Sequence, residues 1–300
     1  MSTKKPASQE SGKKTAAKKS GARAAGASES RREALRQQQA AQARSQRNSR
    51  IMMIVAGIVA LAILAVVGTV IWQDQAAKRE RERLEAGSQI TPPNAADKEG
   101  VGGITVNPKT ADKAKYTMDL FIDYQCPYCA ETEKAYGAVW KELADEGFIK
   151  LRVHTMTFMD EKTKTDHSTQ LAIGAACADT RGKYWQFHTA AFNNQNATMP
   201  LYTDEVTQKT VPQEAGLTGA DLDAWKKCFE NKSTATFVRL VDEQSGKQGV
   251  TGTPTLKING KNPQIKDADG KDVAWWTELD PNTQATTADW KKLIEKHAKA

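Results

Sequence analysis

The sequence predicts an α/β domain with an inserted helical segment, preceded by one transmembrane helix and a disordered basic tail. Three observations lead to this fold class. Residues 51–71 form one uncharged apolar run. A strand pattern at residues 116–122 leads directly into a helix pattern. A second strand, entered through Thr253 and Pro254, follows only after a long helical stretch.

Residues 1–50 form the basic tail. They hold 13 of the 43 Lys and Arg residues but only 3 of the 36 Asp and Glu residues, so the tail carries +10 and the rest of the chain −3. The tail has no aromatic residue, Val or Ile, and such a segment cannot bury enough apolar surface to offset its ordering entropy. It is therefore predicted to be disordered. Its positive charge is expected to set the orientation of the membrane helix, or alternatively to bind anionic lipid headgroups. A nucleic-acid-binding core is disfavoured, because its basic patch would have to lie on the folded part.

Residues 51–72 are predicted to cross the cell membrane once. An uncharged helix of this length spans roughly 31 Å, which matches a hydrocarbon core of about 30 Å. A cleaved signal peptide is disfavoured, because the apolar run is long and begins late in the chain. Within 20 residues, six basic residues precede the run and four follow it, which favours a cytoplasmic N-terminus. Residues 73–100 are expected to form a charged stalk and a linker.

All four cysteines lie beyond the membrane run, and two of them form the motif Cys126-Pro127-Tyr128-Cys129. The strand pattern ends just before this motif, and apolar residues with helical spacing follow it over residues 136–143. Pro127 suits the first position of a helix. Cys126 is therefore expected to lie at the N-cap of the helix, with Cys129 one turn inside it.

This position of the two cysteines predicts a redox-active dithiol. The free N–H groups and the positive end of the helix dipole favour a thiolate at Cys126, which makes it the exposed nucleophile and a good leaving group. Cys129 becomes the resolving thiol. Half of a zinc site and a structural disulfide are the alternatives. The sequence has no second C-x-x-C and its four His residues are scattered, so neither a metal nor a dissociable cofactor is expected.

A family resemblance rests on three runs of the sequence, which are Asp123–Cys129, Trp185–Phe192 and Gly252–Pro254. In these runs, and over residues 101–300 as a whole, the chain resembles the thioredoxin superfamily and more closely its DsbA-like thiol oxidases. The resemblance implies that Pro254 is a cis-proline facing the dithiol. It also implies that Thr253 contacts the backbone of the substrate.

Length separates the DsbA-like proteins from thioredoxin itself. About 95 residues lie between a strand near residues 148–158 and the strand at Pro254, where thioredoxin would need one short crossover. They are predicted to form helices near residues 165–179, 183–194, 203–214, 219–230 and 232–247. The resemblance implies that these helices form an inserted domain, over about residues 160–248.

Two positions depart from the family pattern. Tyr128 stands where the best-known oxidases carry a His that stabilises the thiolate, which implies a milder oxidant. Leu120 stands where thioredoxin and its relatives often carry a buried acid. Asp123, three residues before Cys126, is then a candidate for proton transfer. The alternative is that it only hydrogen-bonds the turn before the helix.

The other two cysteines, Cys177 and Cys228, lie 51 residues apart in the predicted helical insertion. A structural disulfide is favoured in an oxidising compartment. Two separate buried thiols and a second redox relay stay open as alternatives. Membrane-anchored actinobacterial members of the family, which the layout of this chain also resembles, suggest similar pairs.

Several other residues of chemical interest have simpler interpretations. His154 and His188 are predicted to pack within the domain rather than to take part in catalysis. Trp275 and Trp276 are predicted to form a lid over the sheet, with a binding surface as the alternative. Thr286 is expected to cap the last helix.

Together these features predict a dithiol oxidase, single-pass with its catalytic domain outside the cell membrane, that introduces disulfides into exported proteins. The expected substrates are unfolded or nascent proteins with free cysteines, which attack Cys126 and release Cys129. The resemblance implies reoxidation by a quinone-linked membrane partner, DsbB-like or VKOR-like, and nucleic acid is not an expected partner. The alternatives are a reductase or isomerase of the same fold, for example in cytochrome c maturation, and a non-catalytic membrane-tethered binding module.

Overall fold

The computed structural model describes residues 52–53, 55–69, 71–72, 75, 87–280 and 282–299. The chain divides into two units, Met1–Lys78 and Arg79–Ala300. In the first unit, residues 52–53, 55–69 and 71–72 are helical. Among the described residues, no helix combines the length and the apolar character needed to cross a membrane. The predicted membrane helix falls partly outside the described residues and stays a prediction, and the predicted tail lies wholly outside them.

The second unit alternates strands and helices, and the elements that the sequence patterns predict occur in the predicted order, together with short strands and helices that the patterns did not indicate. Its elements are β1 (Ile104–Thr105), α1 (Pro108–Ala111), β2 (Tyr116–Ile122), α2 (Pro127–Asp145), β3 (Ile149–Thr155), α3 (Met159–Thr163), α4 (His167–Asp179), α5 (Tyr184–Asn193), a π-helical turn (Val206–Thr210), α6 (Val211–Glu214), α7 (Gly219–Glu230), α8 (Ala235–Lys247), β4 (Thr255–Ile258), β5 (Gln264–Lys266), β6 (Asp272–Ala274), a 3₁₀ turn (Trp275–Glu278) and α9 (Thr287–His297).

A four-stranded sheet in the order β1-β3-β2-β4 forms the centre of this unit. Strand β2 pairs parallel with β3 and antiparallel with β4. Six of the seven β2 residues are buried, as expected for a central strand covered on both faces. The chain passes from the end of this central strand into α2, so the dithiol lies at the carboxyl edge of the sheet.

An aromatic cluster packs α2 against the C-terminal helix. The rings of Tyr136 and Trp140 lie 5.1 and 5.3 Å from that of Trp290, centroid to centroid, and meet it edge to face. Such aromatic pairs stabilise a core beyond the area they bury. Helix α9 begins with a capping box, in which Thr286 and Asp289 each accept a hydrogen bond from the backbone N–H of the other. The predicted cap at Thr286 is therefore confirmed.

Helices α3 to α8 lie between β3 and β4 and form the helical insertion. Helix α4 is its centre and is buried at eleven positions. A disulfide between Cys177 on α4 and Cys228 on α7 joins two of these helices, with the Cα atoms 5.8 Å apart. The chain is therefore an α/β fold of the thioredoxin type with extra helices.

The described part of the predicted linker, residues 87–100, packs along the domain instead of standing free. The backbone N–H of Ile90 donates to the carbonyl of Ser233 at 2.8 Å. The side chain of Asn94 donates to that of Asp179, also at 2.8 Å. These partners belong to the helical insertion, far away in the sequence, so composition alone could not indicate the contact. The ordered domain therefore begins before residue 101.

Candidate active site

Cys126 and Cys129 are both free thiols at the start of α2. Cys126 is the N-cap residue, with extended backbone angles, and Pro127 takes the first helical position as expected. The N–H of Cys126 donates to the carbonyl of Asp123 at 3.0 Å, and its own carbonyl accepts from Ala130 at 3.2 Å. These bonds fix the turn, so Cys126 faces the free N–H groups of the first helical turn.

The loop before β4 lies against the dithiol. The Thr253–Pro254 peptide bond is cis, and the thiol of Cys126, in its protonated form, donates to the carbonyl of Thr253 at 3.3 Å. The pairing of β4 with β2 brings this loop to the end of the strand that precedes Cys126. Within the described part of the chain, the hydroxyl of Thr253 is buried without a hydrogen-bond partner.

The two thiols have pKa values displaced in opposite directions. A hydrogen bond from the Cys129 thiol is the largest cause that lowers the pKa of Cys126, to about 6, and the N–H groups of Tyr128 and Cys129 also lower it, against the effect of burial. Burial raises the pKa of Cys129 well above that of an ordinary thiol, and the neighbouring Cys126 adds to the rise. At neutral pH the site therefore holds a thiolate at Cys126 and a protonated thiol at Cys129.

Cys126 is less accessible than the sequence predicts. It was expected to be an exposed nucleophile, but it is 5% exposed, against 0% for Cys129. The carbonyl of Thr253, 3.3 Å from the Cys126 sulfur, is one of the groups that cover it.

A groove of about 850 Å³ lies between the first turns of α2 and the Thr253–Pro254 loop. Tyr128 lines it and is 70% exposed. Trp276 and Leu279 form its far wall. The two neighbouring tryptophans therefore have different surroundings. Trp275 is fully buried and donates to the carbonyl of Leu256 in β4, as predicted for a lid over the sheet. Trp276 lines the groove instead. Glu131 and Lys134 add one charge of each sign.

Asp123 is completely buried and holds the turn before α2. Its carboxylate accepts hydrogen bonds from the N–H of Gln125 at 2.9 Å, the N–H of Met159 at 2.9 Å and the hydroxyl of Ser168 at 2.6 Å. Burial raises its pKa to about 7. Among the described residues, no hydrogen bond joins this carboxylate to either sulfur atom. The structure thus shows the turn-bracing role, and proton transfer by Asp123 stays a prediction.

Two residues that the sequence did not single out support the same turn. Gln195 donates its side-chain N–H to the carbonyls of Tyr124 and Cys126, at 2.7 and 3.3 Å. The hydroxyl of Tyr202 also donates to the carbonyl of Tyr124, at 3.1 Å. The two residues lie 71 and 78 positions from Tyr124, in the helical insertion, so no local motif marks them.

His188 is packed within the protein, as predicted. It is 0% exposed and lies 3.1 Å from a carboxylate oxygen of Glu133 and 3.2 Å from the hydroxyl of Tyr124. His154 is also buried and lies 2.9 Å from the carboxylate of Asp119. In both cases burial against a carboxylate accounts for the imidazole without a catalytic role.

Comparison with known protein families and curated proteins gives matches to this chain. A family model described as thioredoxin matches residues 111–296, which is more than half of the chain. The probable disulfide bond formation protein D of Bacillus anthracis is 21% identical over 223 residues, covering 73% of this chain and 94% of that protein. The Na(+)/H(+) antiporter NhaA 3 of Salinispora tropica is 23% identical over 149 residues, and the match spans 50% of this chain but only 21% of the antiporter.

Among solved structures, the chain is similar in fold to the MdbA protein from Corynebacterium matruchotii, a thiol-disulfide oxidoreductase. The identity is 21% and the TM-score 0.48, covering 63% of this chain and 95% of the other. The reduced disulfide bond oxidoreductase DsbG from Mycobacterium tuberculosis is 24% identical with a TM-score of 0.41, covering 49% of this chain and 70% of the other.

Proposed function

The chain belongs to the thioredoxin family, and from this premise we propose that it is a thiol–disulfide oxidoreductase that works as a dithiol oxidase on exported proteins. The observation that carries the proposal is the position of the two thiols, with Cys126 at the N-cap of α2 against the cis Thr253–Pro254 loop and Cys129 fully buried one turn inside the helix. This position lowers the pKa of Cys126 to about 6 and raises that of Cys129. A nucleophile that leaves easily, next to a thiol that stays protonated, is the arrangement that disulfide exchange requires. The name of the Bacillus anthracis relative supports the same activity.

The exchange proceeds in two steps from the oxidised enzyme. A substrate thiolate attacks the sulfur of Cys126, the Cys126–Cys129 bond breaks, and Cys129 leaves and takes up a proton. The second thiolate of the substrate then attacks the substrate sulfur in the mixed disulfide, and Cys126 leaves as a thiolate. Two electrons pass from the substrate to the dithiol, and the substrate gains one disulfide. The low pKa of Cys126 favours this last departure.

The direction of net reaction follows from the same thiolate. Stabilising Cys126 as a thiolate stabilises the reduced enzyme, which makes the disulfide more oxidising. The N–H groups of the first helical turn act on the reduced form, because only that form carries a charge on Cys126. This supports an oxidase over a reductase or isomerase of the same fold.

The groove beside the dithiol suits an extended segment of unfolded polypeptide. Its walls are mainly apolar, with Tyr128, Trp276 and Leu279 on its surface. Thr253 lines the groove and its carbonyl contacts the Cys126 sulfur, which supports the proposal that its backbone pairs with that of a substrate. We take unfolded or nascent proteins with free cysteines as the substrate class.

The proposal extends to location and partners. The catalytic domain would lie outside the cell membrane, behind one N-terminal helix, with a quinone-linked DsbB-like or VKOR-like protein as its reoxidant. An impermeant maleimide, applied to intact cells after mild reduction, should label Cys126. Labelling that occurs only after lysis would argue for a cytoplasmic domain.

Trapping and turnover together test the proposed activity. In Cys129→Ser, Cys126 is first activated as a mixed disulfide with 2-nitro-5-thiobenzoate; a peptide with one thiol should then displace the aromatic thiolate and stay as a mixed disulfide on Cys126. Cys126→Ser, whose remaining thiol is buried, should accumulate none. The oxidised wild-type protein should convert a peptide with two thiols to its disulfide form faster than glutathione disulfide does. Rapid insulin reduction combined with slow peptide oxidation would instead favour the reductase, and no mixed disulfide at all would favour a binding module.

A further inference from the structure

We propose that Glu133 and His188 form a buried ion pair that positions the dithiol and tunes the thiolate of Cys126. The inference rests on the proposed redox function of Cys126 and Cys129. Glu133 lies on α2, one turn beyond Cys129, and His188 lies on α5. Oε1 of Glu133 is 3.1 Å from Nε2 of His188, and the two side chains are 7% and 0% exposed. Within the described residues, no hydrogen bond joins either side chain to a sulfur atom, so both are positioning residues.

The contact between these two side chains has the character of an ion pair. In the part of the chain that the structure describes, neither Oε1 of Glu133 nor Nε2 of His188 has an aligned hydrogen bond. Neutral groups need an aligned N–H to gain from such a contact, whereas a cation and an anion attract each other at any orientation. The imidazole also stacks on the ring of Trp185, with the centroids 4.9 Å apart. The face of an aromatic ring favours a cation.

Helix α2 leaves room for this carboxylate inside the protein. A Cβ atom at Gly137, one turn further along, would overlap Oε2 of Glu133, and glycine in the interior of a helix is destabilising relative to alanine. Apolar residues of similar volume can often replace a buried ion pair without loss of stability. Stability alone therefore gives no strong reason for a charged pair at this position, which points to a role in the redox site.

His188 bridges the two chain segments that flank the dithiol. Its Nδ1 atom lies 3.2 Å from the hydroxyl of Tyr124, two residues before Cys126. Its Nε2 atom faces Glu133, four residues after Cys129. The imidazole therefore ties the turn before the motif to the helix after it, and a change in the imidazole should reach both cysteines.

The pair is also close enough to act on the thiolate by charge. Helical spacing places Glu133 on the same face as the two cysteines, four residues after Cys129 and seven after Cys126. Seven residues of helix correspond to about 10 Å, and both cysteines are buried, so screening by salt is weak. An imidazolium favours a thiolate and a carboxylate disfavours it. In the ion pair these two effects oppose each other, and removal of one partner should expose the effect of the other.

Opposite shifts in two single variants test the ion pair. In the full-length protein, thiolate absorbance against pH gives the pKa of Cys126, and a glutathione redox titration gives the reduction potential. Glu133→Gln leaves the cation without its partner, so the pKa should fall by about half a unit and the potential should rise. His188→Gln leaves the anion, so the pKa should rise by a similar amount and the potential should fall. The double variant should return both quantities towards the wild-type values.

Glu142→Gln is the matched control, because it removes the same charge from an exposed position further along α2; its pKa and potential should equal those of the wild type. Loosening of the fold alone would shift both single variants in the same direction, and that result overturns the proposal, as do unchanged values in both. If one single variant does not fold, the sign of the shift in the other, measured against Glu142→Gln, decides. A wild-type protein that cannot oxidise a dithiol peptide would refute the proposed function, whereas an active wild type with unshifted variants refutes only the ion pair.

Discussion

Replacing Tyr128 with His should make the dithiol a stronger oxidant. Tyr128 follows Pro127 in the first turn of α2 and is 70% exposed, so the substitution removes little buried surface. A protonated imidazole at this position would add a positive charge beside the Cys126 thiolate. The helix N–H groups already favour that thiolate, and the added charge would act in the same direction.

The expected size of the effect follows from Coulomb's law. For a charge about 6 Å from the sulfur, and an effective dielectric constant of about 40 at this exposed position, the added stabilisation is about 1.4 kcal/mol. The pKa of Cys126, which is about 6, should then fall by about one unit. The same free energy raises the reduction potential by about 30 mV.

Two measurements on one sample test this reasoning. Thiolate absorbance against pH gives the pKa of Cys126, and a glutathione redox titration gives the potential. Tyr128→Phe is the control, because it keeps the ring and adds no charge, so both quantities should stay near the wild-type values. A lower pKa with an unchanged potential would refute the reasoning, since thiolate electrostatics would then not set the potential.

Three further predictions concern stability and support of the site. The pKa of Cys126 is lowered from 9.0 to about 6 in the folded reduced protein. The extra stability of the reduced over the oxidised form should therefore be present at pH 9 and be lost as the pH falls through 6. The unfolding midpoints of both forms, measured across this range, check it. Replacing both Cys177 and Cys228 with Ala opens a 51-residue loop and should lower the free energy of unfolding by about 4 kcal/mol, or the unfolding midpoint by about 10 °C. The reduction potential of the active site should stay unchanged, and a large shift in it would indicate that the two cysteine pairs exchange electrons. Gln195→Leu leaves the carbonyls of Tyr124 and Cys126 without this donor and should lower the free energy of unfolding by about 1–3 kcal/mol in denaturant titration; an unchanged free energy would mean that water replaces the amide.

The local elements of the fold were predictable because each depends on neighbours in the sequence. The strand pattern predicted β2 at residues 116–122, and the structure has it at Tyr116–Ile122. Pro127 predicted the start of α2 and placed Cys126 at its N-cap. Helical periodicity predicted the helices of the insertion within a few residues at each end, although residues 203–214 form a π-helical turn followed by α6.

The surroundings of the dithiol were less predictable. The low exposure of Cys126 depends on the loop at Thr253, which lies 127 residues away in the chain. The support from Gln195 and Tyr202 comes from the insertion, across 71 and 78 residues. A periodic pattern in the sequence cannot predict which distant carbonyl group a side chain will hydrogen-bond, because that depends on how the elements pack.

The sequence by itself determined the identity and local geometry of the dithiol, because a Cys-Pro-x-Cys run at a strand-to-helix junction specifies the N-cap, the free N–H groups and the order of the two thiols. Only the tertiary structure determined the pKa values and the solvent accessibility of those thiols. The burial that raises the pKa of Cys129 depends on this packing, and two of the three donors that hold Asp123, the N–H of Met159 and the hydroxyl of Ser168, come from elements far away in the chain. The same packing brings His188 to Glu133. Burial and long-range hydrogen bonds form only when the sheet and the helical insertion pack together, so local sequence patterns cannot predict them.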